Sequence, residues 1–529
     1  MSTLLSIFMR AVVVISVICC SFPLRSKNNS AYYFKRLDVE DGLTQCMVYA
    51  IEQDRQGFLW LGTQNGLNRY DGSHLKTYNL NQYLQEGLSS NSIFSISEDG
   101  EDKIWIGTEN SIVIFDPELE TFRQLKYYVK GKGIVDGVVR TMIPDSKGNM
   151  WAGISGWGIF KFDRNGKIYH FSLDKYIGDR EQITSLCLDS QDNIYMVVSG
   201  CRVLKIWDNK KVSVLADTQK HQLGDTELNC IKIINDTTLL VGTVSEGVIS
   251  VDTRSGKWKI PDIARSLPQG SFVRCIERDR QGKYWFGTQQ GLYVYSPITR
   301  EMTHLEHSLA DPYSLSDNAV HSLFMDREGG MWIGTYFGGV NYHSGLEGGF
   351  EKFYPSSSSG SLTGKCISEF CEDADGNLWI GTEDAGLNVM DRNEHFSIAL
   401  PNARNVHALM KDGVKIWAGT FSDGLFTVDT RSGEVCRIPH SSTGKKGDDN
   451  IYSLFKDSKG NVWVGTRTGL EYYNPANRLL VGYADFIRSQ VNDILENGSG
   501  QIWFATIGQG VFKHNLITNC LLYTSDAAA

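Results

Sequence analysis

The chain has 529 residues, 41% hydrophobic and 21% charged, a composition that fits a folded globular protein and excludes a disordered or fibrous one. A formal net charge of −9 leaves no basic footprint for nucleic acid, and 53 glycines against 11 prolines point to many tight turns. Length alone suggests about three or four domains, but an internal repeat overrides that prior.

At the N-terminus, Arg10 precedes an unbroken apolar run over 11–20 and a polar stretch over 25–30. A charged start and an apolar run too short for a comfortable span predict an export signal over residues 1–28, with an uncleaved anchor as the alternative. No second apolar run of membrane length follows. Tyr33-Phe34-Lys35-Arg36-Leu37 then reads as a strand with no sheet of its own.

From there a unit with the core Trp-x-Gly-Thr repeats, first at Trp60-Leu61-Gly62-Thr63. It returns at Trp105, Trp285, Trp332, Trp379, Trp417 and Trp463, at Trp151 with Ile154 in the last place, at Trp503-Phe504-Ala505-Thr506 without the glycine, and without the tryptophan at Tyr195 and Leu240, in steps of 38 to 47 residues. A period near 45 made of short strands predicts β-propeller blades, and there are eleven of them. The first unit divides into strands over 48–51, 58–62, 66–71 and 75–78, with a turn at Asp54-Arg55-Gln56-Gly57. The same turn recurs as Asp145…Gly148, Asp279…Gly282, Asp326…Gly329, Asp373…Gly376 and Asp457…Gly460, so these aspartates are assigned to turn chemistry rather than to catalysis. The recurring tryptophan is expected to fill the gap between adjacent sheets, and the glycine two residues later to let neighbouring backbone approach.

The string from Asp54 to Asp71 resembles the two-component regulator propeller repeat, and the likeness covers essentially everything after residue 31. That family forms the periplasmic sensor half of hybrid two-component systems, notably those of gut Bacteroidetes that detect glycan fragments. It implies two seven-bladed propellers made of fourteen repeats, followed by a β-sandwich, one membrane helix, a histidine kinase, a receiver and a DNA-binding module. This chain is expected to be a truncated version.

Boundaries follow from a matching offset. Phe34 precedes Trp60 by 26 residues, and Phe353, in the similar string Phe350-Glu351-Lys352-Phe353-Tyr354, precedes Trp379 by 26. The expected fold is therefore all-β: a seven-bladed propeller over 32–348, closed by its N-terminal strand, then four blades of an incomplete second propeller over 349–525 and a non-repeat tail over 526–529. A short serine run, 356–359, is the one loose stretch between repeats. An open second ring leaves an exposed sheet face and edge, which predicts poor solubility or self-association.

One position in the repeat is free to vary. Five residues before each turn it holds Tyr49, Phe94, Arg140, Thr184, Ile231, Arg274 and His321 in the first propeller. Arg140, Arg274 and His321 suit a sulfate or carboxylate ligand at one rim; the alternative is loop capping or pairing with acids such as Glu181 or Asp225. Trp157, Tyr336 and Phe337 stand in second hairpins outside the recurring tryptophan position and suit sugar stacking, or, for the last two, contact with the second propeller. The expected ligand is an oligosaccharide, in its sharpest form an acidic one, with a homodimer in the intact protein and membrane attachment only through the leader or a downstream helix.

The chief rival is a propeller enzyme, a lyase or a glycan-active hydrolase, and a third possibility is a protein-docking scaffold. A lyase needs a metal and a general base. The chain offers only scattered histidines, His304, His307, His321 and His407, so no catalytic residue, metal site or cofactor is assigned. The nine cysteines after the leader show no paired or CxxC spacing and read mostly as small buried hydrophobes.

Overall fold

The computed structural model describes residues 32–83, 91–176, 182–198, 200–207, 211–218, 226–345, 352–356, 360–400, 403, 405–441, 447–518 and 520–524. The leader over 1–28, residues 350 and 351, most of the serine run, Glu181, Asp225 and the tail over 526–529 lie outside them.

In the first repeat, Val48–Gln53, Leu59–Thr63, Gly66–Tyr70 and Leu75–Tyr78 pair in chain order as a four-stranded antiparallel meander. Asp54 makes its first turn. Its Oδ1 accepts the Phe58 N–H at 2.9 Å, its carbonyl accepts the Gly57 N–H at 3.0 Å, and Gly57 takes the left-handed φ of 99°. The other carboxylate oxygen accepts the Trp60 indole N–H at 2.7 Å. The turn thus supplies the acceptor that a buried indole needs. Trp105, Trp151, Trp285, Trp332, Trp379 and Trp463 repeat this bond to their own turn aspartates at 2.7–3.0 Å, and the Tyr195 hydroxyl makes it to Asp189.

Among the described residues there are eleven such four-stranded sheets. They fall into two compact units, 1–351 and 352–529. The first strands of the first unit are Val48–Gln53, Ile93–Glu98, Val139–Pro144, Ile183–Leu188, Leu228–Asn235, Val273–Arg278 and Val320–Met325. Each lies against the next, and Val48–Gln53 also lies against Val320–Met325. The seventh sheet takes its fourth strand from the N-terminus: Lys35–Leu37 pairs antiparallel with Val340–His343, Lys35 opposite Tyr342 and Leu37 opposite Val340. Phe34 beside it is buried with Trp285, Leu292 and Val320.

The core sits between sheets. Trp60 packs with Tyr78 of its own sheet and with Ile93 and Phe115 of the next. A Cβ added at Gly62 would lie 2.6 Å from Ile93 Cγ2, and one at Gly334 would lie 2.8 Å from the Val48 carbonyl oxygen. The glycine of each core motif therefore admits the following sheet, and in the seventh sheet the sheet admitted is the first.

In the second unit the first strands are Ile367–Glu372, Val406–Asp412, Ile451–Lys456 and Val491–Glu496. Residues 352–356 form no strand, contrary to the expectation from the 26-residue offset; Phe353 instead packs on Phe396, their rings 5.5 Å apart. A strand needs a partner edge, and each third strand described in this unit already carries its own fourth. Among the described residues, the irregular connections hold a ribbon pairing Tyr128–Val129 with Gly133–Ile134 and one-turn helices at Leu80–Tyr83 and Asp262–Arg265. Of the described cysteines, Cys187, Cys201 and Cys230 are buried, but Cys366 and Cys436 are exposed and do not fit the buried-hydrophobe expectation. No helix among the described residues is long and apolar enough to cross a membrane.

Candidate functional site

A β-bulge recurs at one place in the first strand of every sheet. In the first sheet Val48 faces Thr63 and Ala50 faces Gly62, so Tyr49 has no opposing residue. The same skip isolates Phe94, Arg140, Thr184, Asn229, Arg274 and His321 in the next six. A bulge frees one residue from the ladder and re-aims its side chain. The residue before it, from Val48 to Val320, is buried in every case and anchors the bend. Here the position is Asn229, not Ile231 as counting back from the turn suggested. The fifth sheet's first strand is eight residues long with a second bulge between Ile233 and Asn235, so the count falls short. Ile231 belongs to the apolar core beside it.

All seven bulge residues line one cavity of about 660 Å³. Its basic lining residues are Arg140, Arg274, Lys232 and His321, and no aspartate or glutamate is among the lining. Lys232 is neutralised by Glu277 at 2.7 Å. Arg140 lies over the Phe94 ring at 5.0 Å and donates through Nε to Gln182 Oε1 at 2.9 Å. Arg274 lies over the Phe272 ring at 4.6 Å, and its Nη1 donates to His321 Nε2 at 3.3 Å. The Arg274 Nε is buried with no hydrogen-bond partner among the described residues. Cation–π contact holds both guanidiniums in place while leaving donors available.

Electrostatics at this mouth are unusual for an acidic chain. Burial holds both guanidiniums below the ordinary arginine range. Burial first, then Arg274 and Arg140, pushes His321 down to about 4, so its ring is neutral at pH 7. Tyr49, raised by burial, meets His321 edge-on at 5.4 Å and 87°. The arrangement can accept negative charge through arginine donors and offers aromatic faces beside them.

The structure brings only some of the sequence-derived candidates together. Arg140, Arg274 and His321 share the cavity, and Tyr336 joins them by stacking on His321 at 5.3 Å and 29°. Phe337 packs edge-on against Tyr336 at 4.5 Å and is otherwise exposed. Trp157 is not free of packing as its place outside the repeat implied: its indole N–H donates to the Asp136 carbonyl at 2.5 Å, and its ring covers the core between the second and third sheets. His304 donates through Nε2 to the Gln290 carbonyl and stacks on Tyr293 at 4.2 Å, while His307 donates through Nδ1 to the Leu315 carbonyl, so both rings are engaged in local structure.

Sequence reasoning missed a second cluster, in the second unit. His440 lies with Nδ1 3.0 Å from Glu471 and Nε2 3.1 Å from Asp449, and Asp449 also accepts from Arg437 at 2.9 Å. The signal was present. Glu471 stands where the third strands of other sheets carry an amide, Asn68, Asn341 or Asn388, whose Oδ1 accepts a loop N–H. Glu471 keeps that role by accepting the Asp448 N–H and adds the imidazole.

Six segments match the two component regulator propeller family: residues 42–65, 87–110, 266–290, 314–337, 361–384 and 445–468. A 75-residue stretch is 47% identical to histidine kinase P4 of Formosa agariphila, covering 14% of this chain and 6% of that protein. Among solved structures, the extracellular domain of a hybrid two component system from B. thetaiotaomicron is similar with a TM-score of 0.63 and 22% identity, over 93% of this chain and 72% of that one. The likeness shows a common fold.

Proposed function

We propose that this chain, built of two component regulator propeller repeats, is the periplasmic ligand-sensing region of a hybrid sensor histidine kinase, and that its ligand is an oligosaccharide. Residues 32–348 form a closed seven-bladed propeller, and 349–525 four blades of a second, incomplete ring. The first 28 residues direct export, and a downstream helix anchors the intact protein in the inner membrane. The region turns nothing over and holds no cofactor. It signals because ligand binds one arrangement of a homodimer more tightly than another.

One observation carries this reading. The repeat's aspartate, tryptophan and glycine are each consumed by turn and packing, while the freely varying bulge residues all line one cavity. Variation concentrated on a fixed scaffold is how a propeller presents a binding site. Arg140, Arg274 and His321 supply polar recognition there, and Tyr336, stacked on His321, and Phe337 against it offer ring faces beside them.

Calorimetry of the chain with sulfated, uronic and neutral oligosaccharides tests it. Arg140→Ala and Arg274→Ala are each expected to weaken an acidic glycan by about 1.5–3 kcal/mol. Failure of all three classes to bind overturns the sensor reading. Release of products, lost on changing His321, would establish an enzyme instead.

A further inference from the structure

The bulge residues leave donors without acceptors. Arg274 Nε is buried and unpartnered among the described residues, and Arg140 is bonded there only through Nε, to Gln182. A buried donor left unpaired is costly, so the site is complete only when an acceptor arrives. Both guanidiniums line a cavity with no carboxylate in its lining, inside a chain whose net charge is −9. The imidazole beside them is arranged for a different state. Because Arg274 Nη1 donates to His321 Nε2, the neutral ring carries its proton on Nδ1.

We propose that this mouth binds a carboxylate or sulfate group through Arg140 and Arg274, and that His321 takes up one proton from solvent as the anion enters. The inference rests on the ligand-sensing reading of the same cavity. The chemistry balances without any co-reactant: the proton comes from water or buffer and ends on His321 Nε2, and no covalent bond to the anion forms. Arg274 Nη1 then loses its acceptor and turns to the anion.

The charges that decide this are few. Arg274 reaches His321 from the sixth sheet and Arg140 acts on it from the third; Tyr49 faces it from the first sheet and Tyr336 from its own hairpin. Asp317, in the loop before the His321 strand, is the acid whose charge opposes the two arginines at the ring. The two arginines are the reason the imidazole stays neutral beyond the effect of burial. An anion seated on them offsets their field, and the ring titrates nearer its ordinary value of about 6.5.

The test uses the whole chain, titrated with sodium sulfate, sodium glucuronate and, as a neutral control, glucose. Calorimetry is run at pH 5.5 and 7.5 in two buffers of different ionisation enthalpy. We expect both anions to bind about tenfold more tightly at pH 5.5, the gain for one linked proton, with up to one proton taken up. Glucose should show neither effect. His321→Gln should still bind anions but with no pH dependence, and Arg274→Ala should weaken anion binding by about tenfold or more at both pH values, circular dichroism confirming that each variant is folded. Sulfate binding alone would identify a sulfate site and glucuronate alone a carboxylate site, and either supports the inference if proton-linked. Anion binding that ignores pH, or a pH dependence that survives His321→Gln, overturns the proton linkage. Oligosaccharide binding with no response to either anion overturns the anion site and leaves the sensor reading standing.

Discussion

The first sheet and the eighth are built to one pattern and meet different surroundings. Val48 and Ile51 on the first strand of the first sheet are 0% and 7% exposed, whereas Ile367 and Phe370 at the same places in the eighth are 40% and 57% exposed. Val48–Gln53 is packed by the first strands of both the second and the seventh sheets; Ile367–Glu372 has Val406–Asp412 along one side. An apolar repeat position is thus a demand for a neighbouring sheet, and the demand is met only where a neighbour exists. The two units differ likewise at their bulges, which carry two arginines in the first and Ser368, His407, Tyr452 and Asn492 in the second.

The largest test of this contrast is a pair of truncations. Ile51→Ala should lower stability by about 2–5 kcal/mol, because it opens a cavity in a filled gap. Phe370→Ala should change stability by about 0.5 kcal/mol or less, because it removes surface already in water. Denaturant unfolding of both variants decides it; equal losses would mean that the eighth sheet is covered in solution.

The turn–tryptophan bond gives the next contrast. Asp145 accepts from Asn149 and from the Trp151 indole, so Asp145→Ala should cost about 1–3 kcal/mol by stranding buried donors. The ninth sheet has a tighter turn without this aspartate, and the Trp417 indole nitrogen is buried with no partner among the described residues. Trp417→Phe should therefore be neutral or stabilising, whereas Trp151→Phe should destabilise. Thermal melts compare them.

The histidines supply the smallest effects and the sharpest sign. His440 is raised by its bond to Glu471, so the stability it contributes is full below about 6.5 and lost as pH rises through its folded value. His321 is pushed down to about 4, so the unfolded chain takes up its proton first and stability is lost as pH falls from about 6.5 toward 4. Urea midpoints from pH 5 to 9 should show the alkaline loss flattened by His440→Gln and the acid loss flattened by His321→Gln. A variant that flattens the opposite limb would show that the environments have been assigned the wrong way round.

Much of the site was legible because it rests on local spacing. Counting five residues back from the turn reaches the bulge in six of the seven first-unit sheets, since strand and turn lengths are constant there. In the fifth, an added bulge breaks the count and conceals Asn229. The indole–aspartate bond was not foreseen, although its two residues stand at a fixed separation of six, because each already had a sufficient separate role. Trp157 was misjudged for the opposite reason: a residue outside the repeat can still be required by one sheet's packing.

The sequence by itself determined the repeating four-stranded sheet, since turn residues, strand alternation and the Trp-x-Gly-Thr core all act within about 45 residues of one another. Tertiary structure decided which sheets are covered, that Arg274 and His321 meet across adjacent sheets, and that His440 lies between two carboxylates. These outcomes depend on contacts between different sheets and loops, most of them between residues tens to hundreds of positions apart. Local propensity carries no record of such neighbours, while burial and the electrostatics of a site are set almost entirely by them.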